Sequence, residues 1–220
     1  VPGGGLLERW LTKKKGSAVS MTVPQRGRKN KWIAMARRNA QLSLLRTENR
    51  QQWRESALEE LKQILSLSSL PERIEAFDIS TIQGEAAVGS MVVFESGEAR
   101  KSSYRKFRIK TVEGMDDYAM MYEVVSRRLK RLQQEGTGYP DLLLIDGGKG
   151  HLGAALKALT DLGVEGPEAI GLAKGRSLKK GAEDPLSPEV DHLFQPGRGE
   201  ALLLPHHSQA KQMLQRIRDE

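Results

Sequence analysis

Apolar and polar positions in residues 71–220 follow the two-residue period of strands and the 3.6-residue period of helices in turn. The strand-like segments are 74–80, 86–95, 101–109, 141–146 and 168–173, with a brief one at 202–204. The helix-like segments are 116–134, 151–162 and 208–220, and residues 174–200 are predicted as a polar loop. The pattern predicts three strands, followed by helices and strands in alternation.

This order of elements predicts an α/β fold with a mixed sheet. The link at 95–98 is short enough for a hairpin, so the second and third strands should be antiparallel. The continuously apolar segment 141–146 is typical of a central parallel strand. Right-handed helical crossovers would add parallel strands beside the antiparallel meander. We predict a ribonuclease H-like mixed sheet, an antiparallel three-strand meander extended by parallel strands and flanked by helices, over residues 71–220.

Residues 1–70 differ in character from the rest of the chain. Alternation at 18–23 predicts a strand that ends at Pro24. Apolar residues then recur at helical spacing from near Lys31 to Leu65, with a polar patch at 48–52, which predicts one long helix or two. We expect an N-terminal arm, built from a strand and a long helix, that packs on the core of residues 71–220.

The composition narrows the class of protein. Lys and Arg outnumber Asp and Glu by 35 to 28, giving a net charge of +7, which favours a polyanionic partner without deciding the fold. The chain has no Cys, which excludes disulfides and thiolate zinc sites. No apolar run approaches the roughly 20 residues of a membrane span, and the first residues have no signal-peptide hydrophobic region. We expect a cytoplasmic protein without a membrane partner.

Two apolar strands each carry a carboxylate. Asp78 shares a face of its predicted strand with Ile74 and Ala76, and Asp146 ends the segment 141–146. These strands should be neighbours at a topological switch point, where open sheets form a crevice. Two ionised carboxylates side by side repel each other, so a proton or a cation must lie between them, and Mg²⁺ prefers such oxygen ligands. The alternative is structural, with Asp146 capping a turn and Asp78 accepting backbone hydrogen bonds.

Other polar residues have simpler explanations. Asp116 and Asp117 precede a helix, where acidic residues are ordinary caps, and Glu85 lies at a predicted turn. The segment 147–150, Gly-Gly-Lys-Gly, suggests a phosphate cradle at a helix N-terminus, but it lacks the P-loop spacing. The predicted contacts with DNA phosphates are Lys149, Lys174, Arg26, Arg28, Lys29, Lys31, Arg176, Lys179 and Lys180. Each of these alone is also explained as a solvated surface charge.

Several motifs, in order, resemble the C-terminal nuclease domain of the UvrC family of bacterial excision-repair proteins. They are FDISTIQGE (77–85), VVFESGEARKSSYRKFRI (92–109), GMDDYAMM (114–121), RR (127–128), PDLLLIDGGKG (140–150), GLAKG (171–175), LPHHSQA (204–210) and LQRIRDE (214–220), and PQRGRKNKWIAMARRNA (24–40) resembles the region before that domain. The resemblance implies a ribonuclease H-like DNA endonuclease that makes the 5′ incision beside damaged DNA. It places catalytic carboxylates on Asp78, Asp146 and Asp117, with Asp78 and Asp146 as ligands of Mg²⁺ or Mn²⁺.

The resemblance also implies partners and one departure. The family works with UvrB and a UvrA-loaded repair complex, through modules that these residues mostly lack. In the family a catalytic His follows the RDE motif within two residues, whereas this chain stops at Glu220. We therefore expect a trimmed nuclease domain, truncated at its C-terminal end and impaired in cutting.

Two other functions remain compatible with the residues. One is a non-catalytic nucleic-acid-binding module on the same fold, with carboxylates that serve structure only. The other is a small-molecule NTPase that uses the 147–150 turn, for which the sequence offers no further nucleotide-binding motif. Metal binding separates the nuclease from both.

Overall fold

The structure, a computed structural model, describes residues 4–82, 86–112, 114–175, 190–205 and 207–220. The chain divides into two compact units, and the boundary between them falls after Arg50. None of the helices in these ranges combines the length and the hydropathy that crossing a bilayer requires.

The N-terminal unit is helical. Helix α1 spans Gly4–Lys15, and helix α2, Gly27–Leu65, begins in this unit as one continuous 39-residue helix. The strand predicted at 18–23 is wrong, because these residues form no regular element. Their backbone amides bind side chains instead of a neighbouring strand: Val19 N donates to Thr12 Oγ1 (3.0 Å) and Met21 N to Glu8 Oε1 (2.7 Å).

The second unit is built on an eight-stranded mixed sheet. Its strands are β1 (Arg73–Ile82), β2 (Ala86–Glu95), β3 (Glu98–Ala99), β4 (Arg105–Arg108), β5 (Leu142–Asp146), β6 (Glu168–Gly175), β7 (Val190–Phe194) and β8 (Leu202–Leu203). Its helices are the end of α2 together with α3 (Asp117–Glu135), α4 (Lys149–Asp161) and α5 (Gln209–Arg218). The strand order is β3-β2-β1-β5-β6-β7-β8, and β4 pairs with β2.

The pairing confirms the predicted ribonuclease H-like topology. Strand β1 is antiparallel to β2 and β2 is antiparallel to β4, which is the predicted meander. On its other side β1 is parallel to β5, and β5 is parallel to β6. Helix α3 connects the meander to β5, and α4 connects β5 to β6. The helical crossovers therefore extend the sheet as the order of elements predicted.

Two predicted segments of the second unit differ from the structure. The third strand, predicted at 101–109, is divided into β3 and β4 by a 3-10 turn at Lys101–Ser103, where Ser103 N donates to Arg100 O (2.8 Å). The loop predicted at 174–200 contains β7, because Leu193 and Phe194 pair with β6 in an antiparallel register. Residues 176–189 lie outside the described ranges.

The sheet separates two buried cores. Helices α3 and α4 cover the face that carries Phe77, Leu143 and Ile145. The end of α2 and helix α5 cover the opposite face, which carries Ile74, Ala76, Leu142 and Leu144. Because side chains alternate along a strand, Asp78 and Asp146 belong to the face of Ala76 and Leu144.

Candidate active site

Asp78 and Asp146 lie side by side on neighbouring parallel strands. The register of β1 and β5 pairs Ala76 with Leu144 and Phe77 with Ile145, and the same offset sets Asp78 beside Asp146. Both carboxylates line one cleft on the α5 face of the sheet. The structure thus brings together the two carboxylates for which the sequence predicted a common crevice.

The cleft has a volume of about 450 Å³. Its floor is the sheet, and its walls come from the residues around β4 and from the end of α5. The residues that line it are Ala76, Phe77, Asp78, Ser90, Met91, Val92, Tyr104, Arg105, Lys106, Leu144, Asp146, Leu172, Ile217, Arg218 and Glu220. The two carboxylates therefore face a cavity that is lined by both acidic and basic side chains.

The electrostatics of the cleft disfavour a second negative charge. Burial raises the pKa of Asp146, and the negative charge of Asp78 raises it further, while Arg218, Lys174 and His151 act in the opposite direction. Asp78 accepts a hydrogen bond from Ser80 Oγ at 2.7 Å, which fixes the orientation of its carboxylate. A divalent cation between the two side chains would relieve the repulsion that the raised pKa of Asp146 reflects.

Arg218 lines the cleft beside these carboxylates, and the buried carboxylate of Asp191 binds its guanidinium. Its Nη1 donates to Asp191 Oδ1 at 2.6 Å, and Gln215 donates to the other oxygen of the same carboxylate. Burial raises the pKa of Asp191, but the hydrogen bonds from Arg218 and Gln215 outweigh it and leave the pKa lowered. This pair was not predicted from the sequence, because Asp191 lies in the segment 174–200 that was predicted as loop.

Asp117 lies apart from the cleft lining. It is the first residue of α3 and is exposed, while Asp116 caps the helix by accepting from Tyr118 N (3.1 Å) and Ala119 N (3.0 Å). Within the described ranges, no group of three or more His, Cys, Asp or Glu side chains is close enough to hold a metal ion. The catalytic role of Asp117 therefore stays a prediction, and Glu85 lies outside the described residues.

The glycine-rich turn before α4 is shaped by close packing. Gly147 has a φ of 146°, and a Cβ there would lie 2.6 Å from the His151 ring. That ring makes an edge contact with Tyr118, at 4.8 Å between centroids. Lys149 donates to the Gly199 carbonyl oxygen rather than pointing freely into solvent. The turn leads from β5 into α4 and packs against the first turn of α3 through His151 and Tyr118.

The other predicted phosphate contacts are dispersed. Lys174 is exposed near the end of β6, and its charge reaches Asp146. Arg26, Arg28 and Lys29 are exposed in the N-terminal unit, where Arg28 lies 5.9 Å from the Trp32 ring centroid. Lys31 is exposed on α2 of the same unit. Arg176, Lys179 and Lys180 lie outside the described residues. Neither Lys149 nor Lys174 lines the cleft.

Fold and site together define a ribonuclease H-like domain with a two-carboxylate cleft. The model of the UvrC RNAse H endonuclease domain matches residues 62–220, and that of the UvrC Ribonuclease H-like domain matches residues 1–47. The chain therefore belongs to the UvrC family, which confirms the resemblance inferred from its motifs.

Full-length relatives agree with the family models. The chain is 44% identical over 225 residues to UvrABC system protein C of Methanococcoides burtonii, covering 100% of this chain and 35% of the relative. It is 41% identical over 220 residues to UvrABC system protein C of Syntrophotalea carbinolica, covering 99% of this chain and 36% of the relative. The chain thus spans about a third of the length of these curated relatives.

A solved structure of the catalytic domain of human Endonuclease V is 16% identical to this chain. It covers 80% of this chain and 86% of its own, with a TM-score of 0.38. A likeness at this level adds nothing to the family match.

Proposed function

We propose that this chain is a divalent-metal-dependent DNA endonuclease domain that makes the 5′ incision in nucleotide excision repair. The observation that carries the proposal is the side-by-side placement of Asp78 and Asp146 at one end of neighbouring parallel strands, facing one cleft. Membership of the UvrC family supports the reaction class and the repair pathway.

The donor set of the cleft fits a hard divalent cation. Carboxylate oxygens are the ligands that Mg²⁺ and Mn²⁺ prefer, and two of them here belong to side chains that repel each other when both are ionised. Burial and the charge of Asp78 raise the pKa of Asp146, which supports a site where a bound cation balances the negative charge of the two carboxylates. A bound Mg²⁺ or Mn²⁺ would supply an activated water and neutralise charge on the phosphate.

The protein's own residues would orient the reacting groups. Asp78 and Asp146 are the proposed metal ligands, and Ser80 holds Asp78 in place through its hydrogen bond. Arg218 lines the same cleft, and its positive charge would act on a bound phosphate while its guanidinium stays bonded to Asp191. We propose Asp117 as a third catalytic carboxylate because it is the second Asp of the DDY motif. It would complete or tune the site from the first turn of α3.

The proposed substrate is damaged DNA, and the proposed protein partners are UvrB and the UvrA-loaded repair complex in the cytoplasm. The family match and the net charge of +7 support this assignment. Lys149, Lys174, Arg26, Arg28 and Lys29 remain proposed contacts with the DNA backbone. They would position the duplex without reading its sequence.

Calorimetry with Mn²⁺ tests the metal site directly. The wild-type chain should bind Mn²⁺, and Asp146→Asn and Asp78→Asn should each weaken binding by at least about tenfold, since each removes a charged ligand. Asp161→Asn is the matched control, because Asp161 is a carboxylate on α4 paired with Lys157 and does not line the cleft. Equal binding by all four proteins would contradict the site.

A nicking assay separates the nuclease from the non-catalytic binding module. The chain should be extended after Glu220 by the residues that follow the RDE motif in its relatives, including the expected His. The extended protein should nick DNA with Mn²⁺, and Asp78→Asn should bind DNA yet lose most nicking. DNA binding without metal binding or nicking would instead favour the binding module.

A further inference from the structure

A row of polar side chains crosses the sheet at the level of the candidate metal site. The β1–β2 register sets Asp78 opposite Ser90, and the β2–β4 register sets Ser90 opposite Lys106. Asp146 continues the row on β5. Residues that lie directly across neighbouring strands point to the same face of the sheet. The row therefore runs from two carboxylates through a hydroxyl to an ammonium group.

The packing of β4 confirms which face Lys106 occupies. Its neighbour Phe107 joins the core beneath α3 and α4, on the opposite face of the sheet. Phe107 pairs with Gly89, where a Cβ would lie 2.5 Å from a Val124 methyl group of α3. Alternation along the strand therefore directs Lys106 to the cleft face, and Lys106 is among the residues that line the cleft.

Lys106 is exposed and forms no ion pair with any residue in the described ranges. Glu220, the remaining acid of the cleft lining, is paired with Lys101 at 2.8 Å. The adjacent Arg105 directs Nη1 to the backbone oxygens of Ser102 and Tyr104. The ammonium group of Lys106 is therefore the cation on this wall that is available to an anionic ligand.

The length of the row would allow two neighbouring phosphates of one strand to lie along it. Neighbouring strands are about 4.8 Å apart, so the Cα atoms of Lys106 and Asp78 are separated by about 10 Å. The Lys106 ammonium group forms no ion pair with Asp78 or Asp146, so it lies apart from both carboxylates. One phosphate beside the metal ligands and the next beside Lys106 would occupy the space between these groups.

We propose that Lys106 binds a backbone phosphate of the nucleic acid. This phosphate is the neighbour, along the same strand, of the phosphate that lies at the Asp78–Asp146 pair. The inference rests on the function proposed above, and it adds a substrate-positioning residue on β4 to which the motifs alone assign no role. An ammonium group there would set the strand across the row, so that the phosphate to be cut lies over the two carboxylates.

Salt-dependent DNA binding tests the proposal without requiring catalysis. Binding of a fluorescein-labelled duplex of about 30 base pairs would be followed by anisotropy in EDTA, over roughly 0.05 to 0.3 M KCl. Loss of one phosphate contact should lower the slope of log K against log salt by about 0.9 and weaken binding about eightfold at 0.1 M salt. Lys106→Ala should show both changes, and Lys106→Arg should restore most of the binding.

Lys130→Ala is the matched control, because Lys130 is an exposed lysine on α3, which packs on the other face of the sheet. It should leave the slope unchanged. An unchanged slope for Lys106→Ala would overturn the proposal and leave Lys106 as a charge that protects an edge strand from pairing. Absence of any DNA binding by the wild-type chain would overturn the proposed function as well. If Lys106→Ala weakens DNA binding but the wild-type chain binds no Mn²⁺, only the proposed metal site is contradicted.

Discussion

Strand β1 carries two carboxylates, Glu75 and Asp78, on opposite faces of the sheet. Glu75 is fully buried and receives two hydrogen bonds from Arg128, at 2.7 and 2.9 Å, and further ones from Arg73. Burial raises its pKa, but these arginines outweigh burial and leave the pKa lowered. On the other face, the neighbour of Asp78 is a second carboxylate, Asp146, whose pKa is raised.

The difference between the two faces separates a structural acid from candidate catalytic acids. The protein supplies permanent cations for Glu75, because an unpaired buried charge would destabilise the fold. It supplies no comparably close cation for Asp78 and Asp146 in the described ranges, where Arg218 instead donates to Asp191 and Asp219. Because these two neighbouring carboxylates have no ion-pair partner in the described ranges, a divalent cation would suit the position between them.

Removal of Arg128 should produce the largest effect on stability. Arg128→Ala leaves Glu75 buried without its main partner, and breaking one side of a buried pair costs about 3–5 kcal/mol. Chemical denaturation would measure the loss in the free energy of unfolding. Arg131→Ala, which breaks an exposed pair on the same helix, should change stability little. Equal losses of stability in the two variants would contradict the distinction between the buried pair and the exposed pair.

Substitution of Arg218 should have a smaller effect on stability than substitution of Arg128, and it should strengthen metal binding. Arg218→Gln removes the main partner of buried Asp191, but Gln215 still donates to Asp191, so we expect a loss of about 2–3 kcal/mol. Because the variant removes a positive charge that acts on Asp146, Mn²⁺ should bind several-fold more tightly. Weaker Mn²⁺ binding in a folded variant would show that Arg218 supports the metal site instead.

The smallest stability effect, and the one with a distinctive pH dependence, should come from Asp146→Asn. Because the folded-state pKa of Asp146 is raised, the wild-type chain loses stability as pH rises through that pKa. The variant lacks this loss and should be the more stable protein at neutral pH without metal. The difference should vanish below the unfolded pKa of about 3.9. Thermal unfolding in EDTA, repeated across pH, would measure it, and a less stable variant at pH 7 would contradict the account.

Much of the sheet could be predicted from the sequence because its strands are strongly patterned. The apolar segment 141–146 and the alternation at 74–80 indicated adjacent parallel strands, and with them the placement of Asp78 beside Asp146. The strand predicted at 18–23 failed because alternation alone does not supply a pairing partner. The packing of the N-terminal arm on the core stays a prediction.

Features that depend on long-range contacts were missed. Strand β7 follows a polar segment, and its role becomes visible only through its pairing with β6 and through Asp191, which binds Arg218 of α5. The position of Lys106 in the row of Asp78 and Ser90 depends on the register of three strands. The sequence around Lys106 is basic and does not by itself show which of its residues faces the cleft.

Anomalous diffraction from crystals of the chain grown with Mn²⁺ tests the central claim most directly. The account predicts one strong manganese peak in the cleft, with oxygens of both Asp78 and Asp146 at about 2.1 Å. A map with no manganese near these side chains, or with the ion bound elsewhere while both carboxylates remain without it, would contradict it.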